Sequence, residues 1–152
     1  MPGKTSREGK VNKLKKKHRF FQSPYRDYVF TKCPKCNTKT KIRKFPLVIH
    51  IEPQQLFLLN KQCRYCTRCD LIIAKQEEIE ALMAARLSLE IPEIIGNEYL
   101  AIGTLDKKDW REGNRGGITS SELIDRMYVF EDVWDFNINP ARWYPADKNF
   151  RQ

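Results

Sequence analysis

The residues of this 152-residue chain whose types and spacing can do chemistry are five cysteines in two tight groups, Cys33-Pro34-Lys35-Cys36 and Cys63-Arg64-Tyr65-Cys66-Thr67-Arg68-Cys69. A gap of two residues lets both thiolates of one turn reach a single metal ion. Two such turns supply the tetrahedral four-sulfur shell that zinc prefers. The expected product is one structural Zn2+. No His, Asp or Glu stands at ligand spacing to leave an open coordination position, which argues against zinc hydrolase chemistry. The second group leaves a choice of pair, Cys63 with Cys66 or Cys66 with Cys69.

Charge is distributed around these groups unevenly. The net charge is +9, yet the segment from Met1 to Lys44 carries fifteen Lys or Arg against only Glu8 and Asp27, while the remainder has seventeen acidic residues against thirteen basic. A basic end joined to a mildly acidic body can neutralise phosphates with one part and stay soluble with the other. Residues Met1 to Arg19, with Lys13, Lys15, Lys16, Lys17 and Arg19, hold almost nothing apolar and read as a disordered basic arm that either contacts phosphates or only solubilises. In the following Phe20–Phe30 segment rings alternate with basic groups, an arrangement suited to stacking on unpaired bases or to covering a small core.

The elements that must position the cysteines follow from patterning. Thr38–Lys44 and Leu47–Ile51 read as two strands of a hairpin, and Leu71–Ile73 as a further strand. Gln76–Glu90 is rich in helix formers and places Ile79, Leu82, Met83 and Leu87 on one face, with Pro92 as the stop. Glu98–Leu105 reads as a strand and Asp106–Gly117 as a long polar, glycine-bearing loop around Trp110. Thr119 and Glu122 have capping-box spacing and open a second helix, with Leu123, Ile124, Met127, Tyr128 and Val129 or Phe130 as its stripe. Val133–Ile138 alternates like a strand. The aromatic, proline-bounded Pro140–Pro145 either seals the core or presents a docking face.

Cys-Pro-Lys-Cys and Cys-Thr-Arg-Cys-Asp, with the strands between them, resemble the two knuckles of the zinc-ribbon superfamily over about residues 30–74. That resemblance favours Cys33, Cys36, Cys66 and Cys69 as ligands, because Tyr65 before and a strand after match the placing of a ribbon's second knuckle; Cys63 is then the alternative ligand. A spare Cys63 reads first as a small buried hydrophobe, and as an exchanging ligand or redox trigger only with a lowered thiol pKa. Ribbons usually carry glycine after each knuckle. Here Asn37 and Asp70 stand there, two residue types that tolerate the left-handed backbone.

The expected fold class is α+β: a basic arm over residues 1–19, a zinc-ribbon module over 20–74, and over 75–152 a small sheet with two helices, packed on or continuous with the ribbon. No apolar stretch approaches a membrane span, and thiols in this spacing fit a reducing compartment, so a cytoplasmic protein is expected, or a nuclear one if Lys15–Arg19 serves as an entry tract. Serines and histidines stand in no catalytic constellation, and neither an enzyme nor a small-molecule substrate is expected. The leading function is nucleic-acid binding, RNA favoured, in a ribosomal or transcriptional setting. Its contacts are the arm together with Lys35, Lys39, Lys41, Arg43, Lys44, Arg64 and Arg68. The alternative is an adaptor or regulatory subunit of a larger protein assembly, docking through Trp110, Trp134 or Trp143.

Overall fold

The computed structural model describes residues 15–135. Lys13 and the rest of the expected arm before Lys15, and Trp143 with the proline-bounded ending, lie outside the described residues. Eight strands form one curled sheet: β1 Lys15–Lys16, β2 Arg19–Ser23, β3 Lys41–Ile51, β4 Gln55–Cys66, β5 Leu71–Lys75, β6 Tyr99–Thr104, β7 Tyr128–Val129 and β8 Asp132–Asp135. Three α-helices accompany it, α1 Gln76–Glu90, α2 Lys107–Asn114 and α3 Ser120–Arg126. The class is α+β, as expected.

The strand order is β1-β7-β6-β3-β4-β5-β2-β8, and its two ends belong to the same pair of chain segments. Lys15 lies opposite Tyr128 and Arg19 opposite Asp132, both in parallel and with one constant offset. Across the interruption the segments stay bonded, Lys17 N to Val129 O at 2.9 Å and Glu131 N to His18 O at 2.8 Å. The sheet therefore closes on itself, with β1–β2 and β7–β8 as the seam. Closure removes the open edges that a curled sheet would otherwise present.

Alternation along the strands then separates an enclosed face from an outer one. Phe45, Leu47, Ile49 and Ile51 of β3 meet Phe57, Leu59, Cys63 and Tyr65 of β4, with Phe20, Ile72, Ala101 and Phe130, inside. Helix α1 adds Ile79, Met83, Ala84 and Leu87 to this core. Leu82, expected on that face, is instead 45% exposed, because the buried stripe turns toward Ala84. On the outer face, α2 and α3 cover Val48 and Leu58 with Trp110, Leu123 and Met127. Phe21, Leu71 and Ile73 form a second outer cluster with Cys33 and Cys66.

Four expectations are corrected. The basic arm does not extend to Arg19: Lys15–Lys16 pairs with β7, and Arg19–Ser23 lies between β5 and β8. Phe20, Phe21 and Gln22 are buried there, and that burial outweighs the solvation of the flanking charges. The two expected hairpin strands are one strand, β3, whose hairpin partner is β4. Pro46 is tolerated within it because its carbonyl accepts from Leu105 N at 3.0 Å, so its missing N–H also faces away from β4.

The polar loop at Asp106–Gly117 is mostly helix α2. Asp109 is buried and takes Arg126 Nη1 at 3.0 Å, and the Trp110 side chain packs beneath, so tertiary contacts override the glycines. Gly113 falls in the last turn and Gly116, at φ 79°, just beyond it. Helix α3 has the expected capping box, but it ends at Arg126, and Tyr128–Val129 is strand β7. Pairing with β6 and β1 draws these residues out of the helix, and Ile124 is 40% exposed. Of the expected strand at Val133–Ile138, Val133–Asp135 belongs to β8, and the rest lies outside the described residues.

Candidate metal centre and the basic face around it

The Sγ atoms of Cys33, Cys36, Cys66 and Cys69 all lie within 4.8 Å of one another on the outer face of the sheet. Cys36 and Cys66 are 3.5 Å apart, Cys33 and Cys69 3.9 Å. β4 delivers Cys66 and the turn before β5 delivers Cys69; Cys33 and Cys36 come from a loop closed by Cys33 N to Thr38 O and Asn37 N to Cys33 O, both 2.8 Å. Backbone amides point at sulfur in each turn, Lys35 N to Cys33 Sγ at 3.3 Å and Cys69 N to Cys66 Sγ at 3.4 Å. Asn37 at φ 65° and Asp70 at φ 55° take the left-handed conformation where glycine was the usual residue.

All four thiols are free, and their spacing suits one metal ion rather than two disulfides. Thr38, whose Oγ1 lies 3.1 Å from Cys36 Sγ, holds the Cys36 thiol down to about 6. Burial, then the neighbouring thiols, pushes Cys66 and Cys69 up. Four thiolates so close repel one another unless a cation sits among them, which is the electrostatic reason this donor set fits a divalent metal.

Cys63 stands apart. Its side chain is on the enclosed face, its Sγ is 3.4 Å from Lys61 O, and burial pushes its thiol up to about 12. This is the buried hydrophobe; the lowered pKa that a redox trigger requires is absent.

A clasp that the sequence pattern did not suggest secures the second turn. His18, buried at φ 70°, donates its backbone N–H to Asp70 Oδ2 at 3.1 Å, and its Nδ1 lies 2.5 Å from Oδ1. Tyr65 Oη donates to the same Oδ1 at 2.5 Å, and Arg19 Nη1 donates to Cys69 O at 2.8 Å. His18 sits in a run of basic residues that reads as solvated, so nothing local marks it.

The basic residues divide into two groups. Lys35, Lys39, Lys44 and Arg68 are exposed on the side of the cluster, as is Lys32, which bridges to Lys39, whereas Lys41 and Arg43 are exposed on the opposite side of β3, beside Tyr65 and Phe45. Lys35 lies over the Trp134 ring, and Arg43 over Phe45 and Tyr65. Arg64 is half-buried and braces the loop, donating from Nε to Thr40 Oγ1 at 3.1 Å and from Nη2 to Thr40 O at 3.2 Å. Lys15, Lys16 and Lys17 are exposed beside β7, Lys17 over the Tyr128 ring. Trp110 packs, partly buried, into the helical layer, and its buried Nε1 has no hydrogen-bond partner among the described residues.

No family model, characterised protein or solved structure matches this chain. Among the described residues, no helix is long and apolar enough to cross a membrane.

Proposed function

We propose that the protein holds one zinc ion in a closed four-thiolate site and binds nucleic acid, RNA in preference to duplex DNA, through the basic face around that site. The observation that carries this reading is electrostatic. Lys32, Lys35, Lys39, Lys44 and Arg68 are exposed around the thiols, Lys41 and Arg43 are exposed on the opposite side of β3, and none of the seven makes an ion pair among the described residues. Cations kept together without carboxylate partners suit a polyanion, which releases its counterions on binding. The helices favour RNA over duplex DNA, since α2 and α3 are packed on another part of the sheet and α1, the helix nearest these charges, begins with the carboxylates Glu77 and Glu78, which a phosphate backbone repels. In this reading the zinc-bearing module makes the principal contacts, residues before Lys15, Lys13 included, add further phosphate contacts, and the α+β remainder is support.

The test is binding of RNA by the intact, zinc-loaded chain across a salt series. A variant carrying Lys35→Gln, Lys39→Gln, Lys44→Gln and Arg68→Gln should bind more weakly and lose about 0.7 from the log–log salt slope for each phosphate contact removed, the value for single strands. Equal affinity of this variant and the parent chain would sink the proposal.

A further inference from the structure

Beside the thiol cluster, on the same outer face, a cavity of about 210 Å³ opens between the sheet and the Tyr28–Phe30 segment. Its lining includes Ile73 at the base and Ile42, Tyr28 and Val29 around it. The last three are 58%, 55% and 49% exposed, so three of the eight exposed large apolar side chains of the described residues gather at one opening. Isolated exposed apolar residues need no explanation, whereas a cluster around a cavity marks a ligand site.

Polar groups at this opening are few and placed. Arg64 contributes a guanidinium braced by Thr40 through Nε and Nη2, with Nη1 bonded to nothing among the described residues. Gln62 offers an amide, both donor and acceptor, and Lys75 an ammonium that donates one of its protons to Arg26 O at 2.9 Å. The one carboxylate in the lining, Glu78, already accepts from Lys61 Nζ at 2.7 Å. Lys44 lies opposite Gln62 in the β3–β4 register, two residues from Ile42 and on the same face. Between Tyr28 and Arg68 the chain has nine Lys or Arg and a single acid, Glu52, which follows the far end of β3, about 30 Å along the strand from Lys41.

We infer that this opening receives an unpaired nucleobase, so that the ligand of the basic face is a single strand of RNA with a base turned out against Tyr28 and Ile42. The inference rests on the nucleic-acid reading above and adds to it the strandedness of the ligand and the base-contacting residues. A planar base has an apolar face for the tyrosine ring and isoleucine, and edge groups for Gln62 and Arg64; its phosphates fall among the surrounding lysines. A paired base keeps its edge and faces inside the duplex and cannot enter.

The experiment measures binding of the full, zinc-loaded chain to three RNAs of equal length: an unstructured single strand, the same strand with abasic sites, and a blunt duplex. The single strand should bind at least about tenfold more tightly than either of the others. Tyr28→Ala and Ile42→Ala should each weaken single-strand binding by about tenfold and leave the salt slope unchanged, since they remove stacking and no charge. Both side chains are largely exposed, and the abasic strand probes the pocket with no substitution at all. If the three RNAs bind alike, or the two variants match the parent while the lysine variant is weakened, the base pocket is refuted and the phosphate-binding reading stands. If none of the RNAs binds at low salt, both fall, and the opening is left to an apolar segment of a protein.

Discussion

One carboxylate, that of Asp70, holds both the backbone and the side chain of His18, a residue 52 positions earlier in the chain. Both residues have left-handed backbones, at φ 55° and 70°, so two unfavourable conformations face each other across the hydrogen bonds that make them worthwhile. Burial pushes the Asp70 carboxyl up, but the bonds from Tyr65 and His18 outweigh it and hold the group below the usual carboxylate range. Asp70 follows Cys69 directly, so the turn that carries two of the four clustered thiols and the seam of the closed sheet are mechanically one structure.

This gives opposite expectations for two positions with the same backbone. Asn37 is exposed, and Asn37→Gly removes the left-handed strain and raises stability by up to about 1 kcal/mol. Asp70→Gly relieves the same strain but deletes the acceptor of three bonds, two from His18 and one from Tyr65, and lowers stability by about 2 kcal/mol. Urea titrations of zinc-loaded protein decide the matter: shifts of equal sign would mean that the clasp contributes nothing.

Metal analysis of protein purified without oxygen is expected to find one zinc per chain. Cys63→Ala should keep that zinc, since Cys63 lies on the enclosed face, and the parent Cys63 should resist alkylation at neutral pH with its thiol at about 12. Cys36→Ser should release the metal and loosen first the segments that carry the thiols, seen as faster amide exchange, at a cost of several kcal/mol of the ~10 kcal/mol that such metal binding can supply. Loss of zinc from Cys63→Ala would overturn the ligand assignment.

Gly103 is required by close approach. A Cβ built there would stand 2.2 Å from Tyr128 O, in the register pairing of β6 with β7. The obstacle is backbone, which cannot rotate away. Gly103→Ala should destabilise by about 3 kcal/mol, the upper end of overpacking costs, with a drop in thermal midpoint as the readout. A change under about 1 kcal/mol would show that β7 can move off β6 freely.

A buried chain of polar groups gives a pH signature. Gln22 Nε2 donates to Tyr99 Oη at 2.7 Å, and Tyr99 Oη donates to Glu80 Oε2 at 2.5 Å. Burial pushes the Glu80 carboxyl up, and the bonds from Tyr99 and Gln76 only partly oppose this. The folded state therefore holds this proton more tightly than the unfolded state does. Its contribution to stability is whole below the ordinary glutamate pKa of about 4.5 and is lost as pH rises through the raised folded value. Glu80→Gln should melt about 1–3 °C higher at pH 7, a modest gain because solvent reaches the group, and match the parent near pH 4. A gain that is constant with pH would exclude this account.

Local signals were legible where the chain acts on itself within a few residues. Helix formers from Gln76 with Pro92 beyond give α1 its bounds, Thr119 and Glu122 give α3 its cap, and Asn37 and Asp70 occupy the left-handed positions that their residue types tolerate. What was hidden depends on distant partners. Arg19–Ser23 reads as a basic aromatic stretch, and only pairing with β5 and β8 makes it a strand within the sheet. The three glycines of the Asp106–Gly117 segment argue for a loop, whereas Asp109 with Arg126 makes a helix of it. For the candidate site, spacing alone placed four thiols together, but His18 and Tyr65 join Asp70 through contacts that no periodicity encodes.

The seam has a consequence for synthesis. The parallel strands that close the sheet are the first and last of the described chain, so the ring cannot shut until residues near 135 have left the ribosome. Until then β2 and β6 present bare backbone to whatever is near, while the β3–β4 hairpin and the pairing of β2 with β5 can already form. Pairing across such separations is slow, and the nascent protein is most open to mispairing in that interval. A metal ion captured early by the four thiols would gather residues 33–69 into one knot during that wait, giving the late strands a fixed surface to close upon.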